Sequence, residues 1–280
     1  MTSVGTVDRA RFEDRPPQNW YQGYVFDLDG TVWLDGRPLP GAVEVLRTLH
    51  AEGRRFVFLS NNTLHTAVAY ASQLRSIGIP AAPDDVITPA QLTIEFLRKH
   101  RFKRVHAICE APLRRQLNGA GFELASRPEE VECVVASFDR HLTYAKLLLA
   151  HRAIELGAAF VATNADRACP MADGFWPDAA AVIGALEGST GVRVTAIMGK
   201  PSARMMAAAL RRLGLPPSAC LMVGDRVETD VRMARASGVP AALVLTGAGV
   251  SRRGAEKADV VVSDLRQLLP AECLGEAAGR

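Results

Sequence analysis

The chain has 280 residues, of which 48% are hydrophobic and 22% charged, with a formal net charge of +3. That length can bury a real core in one large domain or two modest ones. The mild, scattered positive charge gives no argument for nucleic acid, and no apolar run approaches the roughly 18 residues that suggest a membrane span.

The first 22 residues are polar, carry Asp8, Glu13 and Asp14, and lack the apolar core of a signal peptide. The five cysteines, Cys109, Cys133, Cys169, Cys220 and Cys273, form no CxxC pair, and such a scattered, odd set suggests a reducing compartment. A cytoplasmic location is the expectation.

The first strand signal is Tyr24-Val25-Phe26, which runs into Asp27-Leu28-Asp29-Gly30-Thr31. Two carboxylates at i and i+2 share a face of an extended chain, although a turn starting at Asp29 would part them. Side by side they repel unless a proton or a cation separates them, and Mg²⁺ is the natural hard ion for such oxygens. An Asp-Gly turn with no chemistry is the plainer alternative. Next, Ala42, Val45, Leu46 and Leu49 mark one helical face, Gly53 closes it, and Arg55–Leu59 reads as the second core strand.

From about Pro83 to about Gly191 the chain carries strands of its own, near Val105–Cys109, Cys133–Ala136 and Ala159–Thr163. Helices are expected near Ala90–Lys99, Tyr144–Glu155 and Ala179–Leu186. After it, Val194–Met198 is expected to be the third core strand, followed by a helix striped with Met206, Leu210 and Leu213. Cys220–Val223, a helix around Asp230–Ala236, Ala241–Leu245 and Asp259–Val262 complete the pattern. Strands alternating with helices predict an α/β fold: a Rossmann-like parallel-sheet core with an inserted α/β cap domain. The expected division is an N-terminal extension over 1–22, a core from 23–84 and 192–280, and a cap over 85–191.

Ligands of open parallel sheets bind at the carboxyl ends of the strands. The four core strand ends carry Asp27 and Asp29; Ser60, Asn61 and Asn62; Gly199, Lys200 and Pro201; and Gly224, Asp225 and Arg226, with Thr229 and Asp230 close behind. Acids to hold a metal, a serine and backbone N–H groups for phosphate oxygens, and a lysine for charge neutralisation are what phosphoryl transfer needs. Each piece alone has a duller reading: an Asx turn at Ser60–Asn62, a solvated lysine before a helix start at Lys200, and a helix N-terminus at Thr229 and Asp230. A P-loop is disfavoured because proline follows Gly199-Lys200.

Phe26–Thr31, Leu59–Asn62, Gly199–Ser202 and Gly224–Asp230 resemble, as a set, the four motifs of the haloacid dehalogenase superfamily. About ten residues separate Thr31 from the first helix and about 140 separate Ser60 from Lys200, so the cap falls in the second gap (the C2-type position). That arrangement, with Phe138–Tyr144 and Ala162–Asp166, resembles the class containing NagD-like and p-nitrophenyl phosphatases. Asp173–Ala180, Phe58–Asn62 and Leu243–Gly247 look closer to sugar-phosphate phosphatases of arabinose-operon type, and Pro177-Asp178-Ala179-Ala180 departs from the Pro-Gly-x-Gly run of many relatives.

The resemblance implies a Mg²⁺-dependent phosphatase for small phosphate esters that works through an aspartyl-phosphate. Asp27 would be the nucleophile and Asp29 the acid and base. The metal would be held by the Asp27 carboxylate, the Asp29 backbone carbonyl and Asp225, with Asp230 supporting it. Ser60 and Asn61, with Asn62 beside them, would hold the phosphate; Lys200 would pair with it and with Asp27; Asn164 and Asp166 would contribute from the cap. Dehalogenase members lack an acid at the position of Asp29, which favours phosphate chemistry. The loops Asp139–His141 and Asn164–Asp178 are the candidate readers of the leaving group, and Phe175 and Trp176 could serve either packing or ligand contact. A phosphomutase or phosphotransferase, and a phospho-aspartate signalling module, are the alternatives; a homodimer is left open.

Overall fold

The computed structural model describes residues 17, 19–34, 36–171, 174–246 and 255–269. Most of the N-terminal extension, Asp173, Gly247, Arg252, Arg253, Cys273 and the tail from Leu274 lie outside the described residues.

In chain order, β1 (Gly23–Asp27) leads to a small hairpin, β2 (Trp33–Leu34) and β3 (Arg37–Pro38), then α1 (Ala42–Ala51), β4 (Arg55–Leu59), α2 (Ala67–Ser76) and β5 (Val86–Ile87). There follow α3 (Pro89–Lys99), β6 (Arg104–Ile108), α4 (Ala111–Gly119), β7 (Glu123–Leu124), β8 (Cys133–Ala136), α5 (Tyr144–Glu155) and β9 (Ala159–Ala162). A second hairpin, β10 (Ala168–Met171) and β11 (Gly174–Pro177), precedes α6 (Ala179–Thr190), β12 (Ala196–Ile197), α7 (Ala203–Leu213) and β13 (Cys220–Gly224). A π-helical turn at Val227–Val231 runs into α8 (Arg232–Ala236), then β14 (Ala241–Val244) and β15 (Val260–Val262).

Two parallel sheets result. One has six strands in the order β15-β14-β13-β1-β4-β5, the other five in the order β12-β9-β8-β6-β7. Strand alternation sends Tyr24, Phe26 and Phe58 to one face of the larger sheet, where Leu46, Leu49 and Leu74 from α1 and α2 cover them. Val25, Val57 and Met222 face the other way, against Met205 and Met206 of α7. That second cluster continues into the smaller sheet through Val105, Val135 and Val161, and each side chain so buried contributes about 1.5–3 kcal/mol.

The helices start where local chemistry supplies a cap. Thr66 accepts from Ala69 N at α2. Thr88 and Gln91 form a reciprocal capping box at α3, with Pro89 at the first helical position. Ser202 caps α7, which Gly214 closes in the left-handed region.

One strand, Val86–Ile87, has no counterpart in the sequence pattern, and another lies in the other sheet from the one expected. Val86–Ile87 pairs with Phe58 and Leu59, so it extends the larger sheet past residue 84. Ala196–Ile197 pairs with Val161 and Ala162, and Met198 N and Gly199 N donate to Ala162 O and Thr163 O. The stretch taken for a third core strand is thus the edge of the smaller sheet, and the chain crosses back to the larger one only after residue 199. Both edge pieces are two residues long, and their apolar composition suits either sheet.

In the larger sheet β4 and β5 lie to one side of β1, and β13, β14 and β15 to the other. The strand order therefore reverses beside β1, the position where such sheets open a crevice at their carboxyl ends. No helix among the described residues is long and apolar enough to cross a membrane.

Candidate active site

Asp27 is the last residue of β1, and Asp225 directly follows the neighbouring β13. Asp230 lies in the π-helical turn beyond, where its Oδ2 accepts from Arg226 N at 3.1 Å. One carboxylate oxygen from each of the three lies within 4.8 Å of the others, and all three residues are buried. Two glycines make room for them. Gly30, at φ +95°, has no Cβ to overlap the Asp225 carboxylate, and Gly224 leaves the space that Asp230 fills.

Lys200 reaches this cluster from the far side. Its Nζ lies 2.5 Å from Asp27 Oδ1 and 2.8 Å from Asp230 Oδ1, and the residue is 3% exposed. The solvated-lysine reading is therefore excluded. Burial works against the ammonium charge, but Asp230 and Asp27 outweigh it and hold the lysine protonated. Asp225 has no such partner. Its Oδ1 is buried without a hydrogen bond, and burial, then the charges of Asp27 and Asp230, push its pKa up. Asp230 is raised as well, by burial first. Three clustered buried acids, two of them paired with the Lys200 ammonium and the third keeping an unpartnered carboxylate oxygen, fit a hard divalent cation.

The Asp29 carboxylate stands outside this cluster. β1 ends at Asp27, a tight turn carries Trp33 N back to Leu28 O, and Asp29 Oδ1 accepts from the Trp33 indole N–H at 2.9 Å. The turn thus parts the two acids that an extended chain would have kept on one face. Burial raises the Asp29 pKa, against the Trp33 hydrogen bond and the positive charges of Lys200 and Arg226.

Ser60 follows β4, and its Oγ accepts from Asn62 N at 3.1 Å and lies 3.1 Å from Tyr70 OH. Asn62 Oδ1 accepts from Leu64 N, so the Asx turn foreseen as the dull reading is also present. Asn61 and Asn164 have their side chains committed to protein partners. Asn61 Nδ2 donates to Asp166 Oδ2 and to Lys200 O, and its Oδ1 accepts from Lys200 N. Asn164 Nδ2 donates to Asn61 O, and its Oδ1 accepts from Asp166 N. With Thr63, Ser137 and Thr163, whose hydroxyls form a buried chain, these residues bind the carboxyl ends of the two sheets together.

Between the sheets is a cavity of about 350 Å³, within the size range of small-ligand sites. Asp27, Asp29, Asn61, Asn62 and Lys200 line its floor, and Asp166, Ala168, Cys169 and Asp178 line it from the smaller sheet's side. Asp178 caps α6 through Ala179 N, and burial raises its pKa to about 6. The loop at Asp139–His141 is absent from this lining: Lys146 holds Asp139 and Glu110 holds Arg140. Phe175 and Trp176 do not line the cavity either.

Trp33, Tyr70, His65 and Gln73 were not singled out in the sequence, yet all line the cavity, as does Arg226, which was given no role. Arg226 was visible between two motif acids. Burial opposes its charge, and Asp225, Asp27, Asp166 and Asp230 more than restore it.

Two family models match the chain, "haloacid dehalogenase-like hydrolase" over residues 24–123 and "HAD-hydrolase-like" over residues 197–268. The sugar-phosphatase AraL of Bacillus subtilis is 38% identical over 226 residues, 80% of this chain and 83% of that protein. A p-nitrophenyl phosphatase from Archaeoglobus fulgidus superposes with a TM-score of 0.82 at 31% identity, covering 89% of this chain and 98% of that one. A glycerol phosphate phosphatase from Mycobacterium tuberculosis, in complex with magnesium, gives 0.78 at 31% identity and covers 89% and 77%. With this likeness over most of its length and the motif residues gathered at one strand edge, the chain belongs to the haloacid dehalogenase-like hydrolases, as one of the phosphatases of the NagD-like and p-nitrophenyl phosphatase class.

Proposed function

We propose that the protein is a Mg²⁺-dependent phosphatase that hydrolyses small phosphate monoesters, sugar phosphates or similar, through an aspartyl-phosphate on Asp27. The observation that carries this reading is Lys200 Nζ held against both Asp27 and Asp230 while Asp225 keeps an unpartnered oxygen. That set provides a nucleophile, a fixed positive charge and a carboxylate oxygen free to hold a cation.

Asp27 forms the new bond to phosphorus as the ester's P–O bond breaks, and Asp29 gives its proton to the departing oxygen. The buried, raised carboxyl of Asp29 suits an acid. Asp29 then takes a proton from water as the water oxygen bonds to phosphorus and the Asp27–phosphorus bond breaks, releasing inorganic phosphate. Lys200 offsets the charge on the nucleophile and on the transferring group, and Ser60 donates to a phosphoryl oxygen. Asp27 and Asp225, with the Asp29 backbone carbonyl and the support of Asp230, would hold Mg²⁺, which supplies Lewis-acid neutralisation of the phosphoryl oxygens. Asn61 and Asn164 position the floor of the site. The wall bearing Asp166 and Asp178 meets the leaving group, and the segment that carries the smaller sheet acts as the cap that excludes water.

The sugar-phosphatase and glycerol phosphate phosphatase relatives support small polyhydroxylated leaving groups. The test is a panel of sugar phosphates, glycerol phosphate, phosphoglycolate and nucleotides, incubated with Mg²⁺ and read by free phosphate. Release by the wild type and not by Asp27→Asn supports the reading. Phosphorylated acceptor sugar in place of free phosphate would replace hydrolysis by phosphotransfer.

A further inference from the structure

Tyr70 is a buried phenol for which the reaction above has no use. It stands in the first turn of α2, is 3% exposed, and its ring stacks on Trp33 with centroids 6.1 Å apart and planes 22° from parallel. Its hydroxyl lies 3.1 Å from Ser60 Oγ, and Ser60 itself is 1% exposed.

A serine hydroxyl has one hydrogen and two acceptor lone pairs. One lone pair of Ser60 Oγ is taken by Asn62 N–H. The contact with Tyr70 can run either way. If Ser60 donated to the phenol, its only hydrogen would be spent and a phosphate oxygen, which can only accept, would meet a lone pair. If Tyr70 donates, both lone pairs are filled and the Ser60 hydrogen is left to point at the ligand. An oxyanion in the site selects the second arrangement.

We propose that Tyr70 is a positioning residue for phosphate binding: its phenol donates to Ser60 Oγ and, together with Asn62 N–H, turns Ser60 into an obligate donor aimed at the phosphoryl oxygen. This rests on the reading of Ser60 as a phosphate ligand given above. Burial, first, and the nearby charges of Asp29 and Asp27 raise the phenol's pKa, so Tyr70 stays a donor across the working range of pH. A hydroxyl that receives two hydrogen bonds is also polarised into a stronger donor. The ring's stacking on Trp33 fixes the phenol's direction.

The experiment is a double-mutant cycle on the full chain with Tyr70→Phe, Ser60→Ala and the pair, since Phe keeps the stacked ring. Inorganic phosphate binding with Mg²⁺ is measured by calorimetry, and ester turnover by free phosphate. Tyr70→Phe is expected to weaken phosphate binding and lower kcat/KM by about three- to tenfold, and to have less than about a twofold effect once Ser60 is Ala. Ser60→Thr, which keeps the hydroxyl, should restore the response to Tyr70→Phe. An equal loss in both backgrounds, or no loss in the wild-type background, overturns the proposal. Phosphate binding with the expected cycle but no ester turnover would uphold the Tyr70 assignment and sink the hydrolase reading; no phosphate binding by the wild type would sink the Tyr70 assignment.

Discussion

The Asn61 amide donates to Asp166 Oδ2 over 3.0 Å and to Lys200 O over 3.1 Å, while its carbonyl accepts from Lys200 N over 2.8 Å. One side chain thus grips both a carboxylate from the smaller sheet's loop and the backbone of the lysine that faces Asp27. Asn61→Ala removes three hydrogen bonds and frees the Lys200 backbone. The expected result is a fall in kcat/KM of about ten- to a hundredfold, since small misplacements of a reacting group cost that much. Asp166→Ala removes one of the three and should cost less. Steady-state kinetics on both variants checks the order; a larger loss for Asp166→Ala would place the weight on the leaving group instead of on Lys200.

Asp27→Asn tests the nucleophile. Lys200 keeps Asp230 at 2.8 Å in that variant, so the buried ammonium retains a counter-charge and the fold should hold. Phosphate release is expected to drop by about a thousandfold or more, with the far-UV circular dichroism unchanged. Substantial residual turnover would remove Asp27 from the role.

Mg²⁺ should stabilise the fold as well as support activity. A ligand at a hundred times its dissociation constant adds about 2.7 kcal/mol, which a thermal melt with and without Mg²⁺ detects. In Asp225→Asn that gain should shrink sharply. The metal-free variant should itself melt higher than the metal-free wild type above the ordinary carboxylate range, because the raised pKa of Asp225 marks its charged form as disfavoured in the fold. Thorough chelation that leaves the wild-type rate unchanged would take the metal out of the mechanism.

The candidate site was legible where it resides in residue types at strand ends. Asp27, Ser60, Lys200, Asp225 and Asp230 converge on the larger sheet's switch point because a parallel sheet brings its carboxyl ends together whatever its flanking loops do. What the sequence could not convey was relational. Val194–Met198 reads as a strand, but only pairing with Ala159–Ala162 assigns it to the smaller sheet, and a two-residue strand carries no mark of its partner. Trp33 meets Asp29 because a turn folds back over four residues. Tyr70 meets Ser60 because α2 carries its phenol back to the end of β4. Neither aromatic sits at a spacing that announces a ligand, since both satisfy the rule for a core residue equally well. The asparagines were legible as polar groups at a strand end, but their commitment to each other and to the lysine loop needed the carboxyl ends of the two sheets brought together.

Asp178 gives a pH test that is independent of the metal. Burial raises its pKa from the ordinary 3.8 to about 6, with the Asp166 charge adding to the rise and the hydrogen bonds from Ala179 N and Asn164 opposing it. A carboxyl raised in the folded state is tolerated there as the neutral acid. Its favourable contribution is complete below about pH 4 and is lost as pH rises through about 6. Asp178→Asn, neutral at every pH and still able to cap α6, should therefore stabilise the protein by roughly 1–3 kcal/mol at pH 7 to 8. The gain should fade between pH 6 and pH 4. Melting temperatures of both proteins across that range decide the matter. A pH-independent difference would mean that packing, and not the buried charge, sets the effect of the substitution.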